Sequence, residues 1–330
     1  MQFIYKITIL LFLSASLHSE IINNNVQKVF GSSPPMNYLI YALNPNKMIG
    51  LNFAAKNANN YADPAILDKR FLTLPIIGSF HGGGAGINLE NIIKHNPDLI
   101  LLWEDDVMAT RVKSEIAKIR IKTLTIPFRK ISDMPNSIIV AGKAIDEEER
   151  GKLLGHYAQK TIDEIQNSLK DVKKVRYYYA EGIDGLSTEC DDSFHVEALN
   201  FAGGENVHKC TQSGVLGLER ISFETVLGYD PDVIVVQNIL VYNEILNNPL
   251  FKHLRAIKEN KIYLVPNNPF NWIDRPPSFM RILGTAWLAN IFHPEAYDID
   301  IEKRTHEFYQ LFFGVDLTQH QILSILGKNK

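Results

Sequence analysis

Imidazole, indole, guanidinium and thiol groups fall at only a few positions where they could bind or transform a ligand. His81 lies in the glycine-rich loop SFHGGGAG (79–86), and His195 in DDSFHVEALNF (191–201). Neutral imidazole suits nickel, copper or zinc and can complete a partly filled ferric coordination shell. The plain alternatives are a solvated loop residue for His81 and a structural histidine for His195. Ser193 fits the N-cap of a helix starting near Phe194. Trp103 and Glu104 end the apolar run LILLWE (99–104), and Tyr179 ends VRYYY (175–179). Carboxyl ends of parallel strands face the binding crevice in α/β sheets, and an indole there is a flat wall for a planar ligand; the alternative is a core tryptophan capping the sheet. Arg220 occupies a place comparable to the His81 loop, and Trp272 and Arg275 sit in PFNWIDRPPS (269–278). A guanidinium fork pairs with carboxylate, catecholate or oxyanion groups, or, for Arg275, with nearby Asp274 or a glutamate of the tail.

Several chemistries are disfavoured or excluded. The alternative from another class is a secreted metal-dependent hydrolase, which needs three protein ligands; the scattered histidines, with no HExxH or clustered H-x-D pattern, weigh against it. The 79–86 loop lacks the Lys-Ser/Thr of a phosphate-binding loop and does not satisfy G-x-G-x-x-G. Hydrophobic residues make up 45% and charged residues 22% of 330, with a formal charge of −3. That is globular composition with no bulk attraction for nucleic acid. Mean hydropathy of −0.08 excludes a polytopic membrane protein. Two cysteines, Cys190 and Cys210, are too few for zinc-finger or iron–sulfur frameworks. Residues 1–19 carry one cation, Lys6, then an uncharged run Ile7–Leu13 and small residues, the order of a secretory signal peptide. No cysteine near the cleavage region marks a lipoprotein. Export makes Cys190 and Cys210 candidates for a disulfide, with two buried thiols as the alternative.

The elements that position these groups come in two sets. INLENIIKHNPDLILL (87–102) and ISFETVLGYDPDVIVV (221–236) align without gaps at an offset of 134 residues. Each reads as a short helix, a Pro-Asp turn and a buried parallel strand. Between them, 137–169 has apolar residues at helical spacing and predicts one helix of about 45 Å. Strands are predicted at 28–30, 48–51, 99–103 and 122–126, then at 174–179, 233–237 and 262–265; helices are predicted at 278–292 and 301–313. The reading is α/β: a signal peptide (1–19), an N-terminal Rossmann-like lobe (20–136), one long backbone helix (137–169) and a C-terminal lobe with C-terminal helices (170–330), with a ligand cleft between the lobes.

The paired NLE…PDLI and SFE…PDVIV segments, the long linking helix and RPPSFMRILGTAWLANIFHPE (275–295) together resemble the class III, helical-backbone substrate-binding proteins of metal-chelate ABC importers. The resemblance covers nearly all of the chain after the signal segment. It is nearest to the enterochelin-uptake (CeuE-like) receptors, and WIDRPPS is also similar to molybdate-receptor relatives. The resemblance implies a monomeric periplasmic receptor, not an enzyme, without intrinsic cofactor. Its implied cargo is iron(III) or nickel(II) as an organic chelate, a ferric siderophore or a nickel–histidine-type complex, with molybdate or vitamin B12 as the alternative. The implied partners are an ABC permease dimer and its ATPase, gripped through Glu90 and Glu224, which occupy the same place in the two repeats. Ligand contacts are then expected from His81, Trp103, Tyr179, His195, Arg220, Trp272 and Arg275, with His195 and His81 as possible metal ligands.

Overall fold

The computed structural model describes residues 25–328 apart from 55, 58–59, 62, 81–87, 105–106, 213 and 215. The expected signal segment and His81 lie outside the described residues.

Two parallel sheets organise the chain. In the first, Leu99–Trp103 lies between Val29–Gly31 and Lys122–Ile126. Residues 48–51, expected as a strand, contribute only single parallel bridges, Val29 to Met48 and Leu51 to Ile76. In the second sheet the order is Ile262–Leu264, Val233–Val236, Val175–Ala180, Gly204–Asn206, all parallel. The three-residue strand Gly204–Asn206 carries no apolar signal and was not expected.

The aligned repeats fold alike, for a physical reason. Helix Leu89–His95 is capped by Asn88 and helix Phe223–Tyr229 by Ser222, and each ends on a left-handed residue, Asn96 (φ 46°) or Asp230 (φ 41°). Proline then bars further helix. The following aspartates pin neighbouring strands: Asp98 Oδ2 accepts the amides of Gln27 and Lys28 (2.9 and 2.8 Å), and Asp232 Oδ2 accepts that of Arg176 (3.1 Å). Each Pro-Asp is thus the splice that sets one strand beside the next.

Side chains alternate between two cores on each sheet. Leu99, Leu101 and Trp103, with Tyr177, Tyr179, Val233 and Val235, face a large core shared by both halves. Ile100 and Leu102 pack outward on Phe80, Ile92 and Ile116, whereas Tyr178, Ile234 and Val236 pack outward on Val226, Val241 and Ile245.

The expected single helix over 137–169 is corrected to two. Met134–Ala144 ends at Ile145, Asp146 turns left-handed (φ 58°), and Glu148–Ser168 follows as the backbone helix, 21 residues or about 31 Å long. The turn is held because Asp146 Oδ2 accepts the Val26 amide at 2.9 Å. The two helices cross where both are glycine: a Cβ on Gly142 would lie 2.6 Å from Gly151 Cα. The backbone helix places Leu154, Ala158, Ile162 and Ile165 in the shared core. The C-terminal helices Arg281–Phe292 and Ile301–Phe313 also reach beyond the second lobe. Phe313 packs 6.1 Å from Tyr41 of helix Pro34–Leu43, and the Arg150 guanidinium donates to the carbonyls of Ala42 and Leu311. Among the described residues no helix is long and apolar enough to cross a membrane.

Candidate functional site

The two halves meet where their strands end. Trp103 ends the central strand of the first sheet, and Phe194 begins a short 3-10 turn in the second half; their rings stand edge to face at 5.6 Å. Arg129, just after strand Lys122–Ile126, holds its guanidinium 5.5 Å from the Trp103 ring centre and 5.2 Å from that of Phe194. A cation across two aromatic faces is attracted by their quadrupoles. His195 lies 4.0 Å from Phe194, and its Nδ1 is 2.8 Å from both carboxylate oxygens of buried Asp274. An aspartate on Nδ1 fixes the ring and its tautomer, the arrangement that orients metal-binding histidines, although the same carboxylate also favours the protonated ring. Burial opposes protonation of His195, but Asp274 overcomes it and the pKa is raised. Ser193 caps the turn as expected, accepting the His195 amide at 3.2 Å.

Arg275 follows directly and is surrounded by acids. Its Nε donates to Glu181 (2.5 Å) and lies 3.6 Å from Asp274, and its Nη2 donates to Glu189 and to the Leu216 carbonyl. The residue holds left-handed backbone (φ 55°), an unfavourable state for arginine that these contacts enforce. Glu189 is fully satisfied, also accepting from Ser193 Oγ (2.9 Å) and the Leu218 amide (3.1 Å). One guanidinium cannot neutralise three buried carboxylates. Burial therefore pushes Glu181 up to about 8, against the pull of Arg275, whereas Asp274, buried too, is held low by His195 and then Arg275. Because the folded pKa of Glu181 lies above its ordinary value, its contribution to stability is complete below about pH 4.5 and is lost as pH rises through about 8. Melting temperature should thus fall between pH 5 and 9, and less steeply in Glu181→Gln; an unchanged slope would contradict this protonation state.

The other expected residues separate into distinct places. Tyr179 is wholly buried beneath this acid cluster, its hydroxyl without a hydrogen-bond partner, and burial followed by the Glu181 and Asp274 charges raises its pKa. Trp272 is corrected from ligand contact to core: it is fully buried, donates from Nε1 to Tyr309 Oη (3.2 Å) and packs edge-on against Trp287. Arg220 is corrected too: its exposed guanidinium is taken up by Asp184 through two bonds of 2.5 and 2.6 Å. Glu90 and Glu224 are exposed at the second position of their twin helices, and hydrogen bonds from its own amide and from Ser222 hold the Glu224 carboxyl low. Cys190 and Cys210 are joined as a disulfide. Arg129, Phe194, Glu181 and Glu189 were not anticipated. Glu181 and Arg129 each follow a strand, the one signal that could have found them.

A cavity of about 1080 Å³ lies along the edge strand Ile262–Leu264, lined also by residues of the C-terminal helices and by Gln237, Asn271 and Arg275; His195, Trp103, Phe194 and Arg129 are not in its lining. Paired parallel sheets, a backbone helix and facing strand ends define a two-lobed ligand-binding protein. The chain belongs to the periplasmic binding protein family, whose model matches residues 81–269, and it is a solute-binding receptor of the ABC-transporter kind, of the helical-backbone type. An ABC transporter solute binding protein from Sulfurospirillum deleyianum is 38% identical, with 92% of this chain and 95% of that one covered and a TM-score of 0.88. CeuE of Helicobacter pylori, solved with Ni(II) bound, shares the fold at 21% identity and a TM-score of 0.65, over 92% and 95% of the two chains. The molybdate-binding protein MolA of Haemophilus influenzae is 24% identical over 69% of this chain and 70% of its own.

Proposed function

We propose that this receptor captures a metal chelate of little or no net negative charge between its lobes, with iron(III) or nickel(II) as the metal. It then delivers the chelate to an inner-membrane permease dimer and its ATPase. The carrying observation is the composition of the floor: a carboxylate-oriented imidazole, His195 on Asp274, beside an arginine already matched by acids. His195 would face the metal, and Trp103, Phe194 and Arg129 would face the organic ligand. The CeuE structures with nickel(II) and with a nickel–histidine complex support a metal chelate. The molybdate-binding relative supports an oxyanion instead, but Arg275 offers an oxyanion no surplus positive charge. Glu90 and Glu224, one per lobe, suit docking on paired cationic pockets of the permease. Residues 1–19 would direct export to the periplasm.

Titration of the purified protein, followed by tryptophan fluorescence, tests the cargo. Trp103 stands edge to face on Phe194 beside Arg129, whereas Trp272 and Trp287 pack on each other. A saturable change is expected with nickel–histidine or a neutral ferric chelate, a much weaker one with free metal, and its loss in Trp103→Phe. Saturation by molybdate with no response to any chelate would overturn the reading.

A further inference from the structure

A second group of metal-ligating side chains shares no residue with the aromatic floor. Sγ of Cys190, Sγ of Cys210 and a ring nitrogen of His208 all lie within 4.8 Å of one another. Cys190 is buried, whereas Cys210 and His208 are half-buried. His208 is held in place by a neighbour, its Nδ1 2.9 Å from the Tyr229 hydroxyl. Asp191 stands alongside, its Oδ1 accepting the Cys210 amide at 3.2 Å. Two thiolates and one imidazole, with a fourth position left to solvent, make a tetrahedral site for a borderline divalent cation.

We propose that Cys190, Cys210 and His208 form a redox-gated metal site, distinct from the cargo cleft, that takes zinc(II) or a similar divalent cation once the disulfide is reduced. In the oxidised protein both sulfurs are in the S–S bond and neither is a thiolate donor. A dithiol reductant supplies two electrons and two protons: the S–S bond breaks, two thiols form, and the reductant leaves as its own disulfide. Metal binding then expels the two thiol protons to solvent and forms two metal–sulfur bonds. The site sits one residue from the Arg275 clamp, because Cys190 follows Glu189 directly.

The test uses the full chain reduced anaerobically with a phosphine, with cobalt(II) as the probe. One equivalent of cobalt(II) should give a near-ultraviolet thiolate-to-metal band and the visible bands of a tetrahedral ion, and zinc(II) should abolish both. The oxidised protein and the folded Cys190→Ser/Cys210→Ser variant should give neither. His208→Gln should weaken binding at least about tenfold, since even outer-shell partners of metal ligands are worth that much. The bands should persist in His195→Ala, which separates this site from the cleft. Circular dichroism of the reduced protein guards against mistaking unfolded thiols for a site. Absence of the bands in the folded reduced protein, or unaltered affinity in His208→Gln, would overturn the proposal.

Discussion

Replacing Arg275 with methionine is expected to cost about 3–5 kcal/mol of stability and to abolish chelate binding, because removing one member of a buried ionic group leaves the others uncompensated. The side chain is 22% exposed, whereas those of Glu181, Glu189 and Asp274 are at most 1% exposed. Without the guanidinium Glu181 and Glu189 lose their cationic partner in a poorly solvated space, Asp274 keeps only His195, and keeping the proton on Glu181 is the available relief. The loss should therefore be largest at high pH and shrink toward pH 4. Adding Glu189→Gln to Arg275→Met should recover part of the stability, since it removes one of the stranded charges. Urea unfolding of the two variants across pH measures both effects. Equal stability of Arg275→Met and the parent at pH 8 would show that the acids are not held by this residue.

Arg281→Met should be comparably damaging, about 3–5 kcal/mol, but by a different route. Arg281 is fully buried and joins the halves: Nη1 donates to the Arg129 carbonyl (2.7 Å), and Nη2 to the Phe194 carbonyl (3.0 Å) and Glu197 (3.2 Å). Glu197 in turn accepts the Ile131 amide at 3.0 Å. The two carbonyls belong to the residues that meet at the floor, one from each half, so this fork sets the distance between Arg129 and Phe194. Lysine cannot replace it, because a single ammonium does not reach three acceptors in a planar fork. Arg281→Lys should stay folded at low temperature yet bind chelate at least about tenfold more weakly, a loss of some 1.4 kcal/mol. Calorimetry on that variant separates positioning from simple unfolding, and parent-like affinity would refute the positioning role.

Local pattern carried much of the architecture. Buried apolar runs located Leu99–Trp103 and Val233–Val236, and the repeated Pro-Asp signalled two alike halves because each aspartate repairs the amides at a strand start. Helix Ile301–Phe313 was plain from its spacing. The backbone helix was overextended because helical periodicity continues across Ile145–Glu147, and the turn there depends on a bond to Val26, 120 residues away. The site was harder for the same reason. Arg275 meets Glu181 and Glu189 at separations of 94 and 86 residues, which no local motif encodes. Trp272 and Arg275, three residues apart, go to opposite environments: the indole finds Tyr309 in the core while the guanidinium finds the acids. His195 was identifiable as a residue, but its orienting partner Asp274 is 79 residues distant.

Crystals grown with a nickel or ferric chelate, with data collected at the metal's absorption edge, test the central claim most directly. An anomalous peak between the lobes, within bonding or close contact distance of His195 and with ligand density against Trp103 and Phe194, is the predicted result. A peak confined to the groove beside Ile262–Leu264, or chelate bound with the His195 floor untouched, would contradict it.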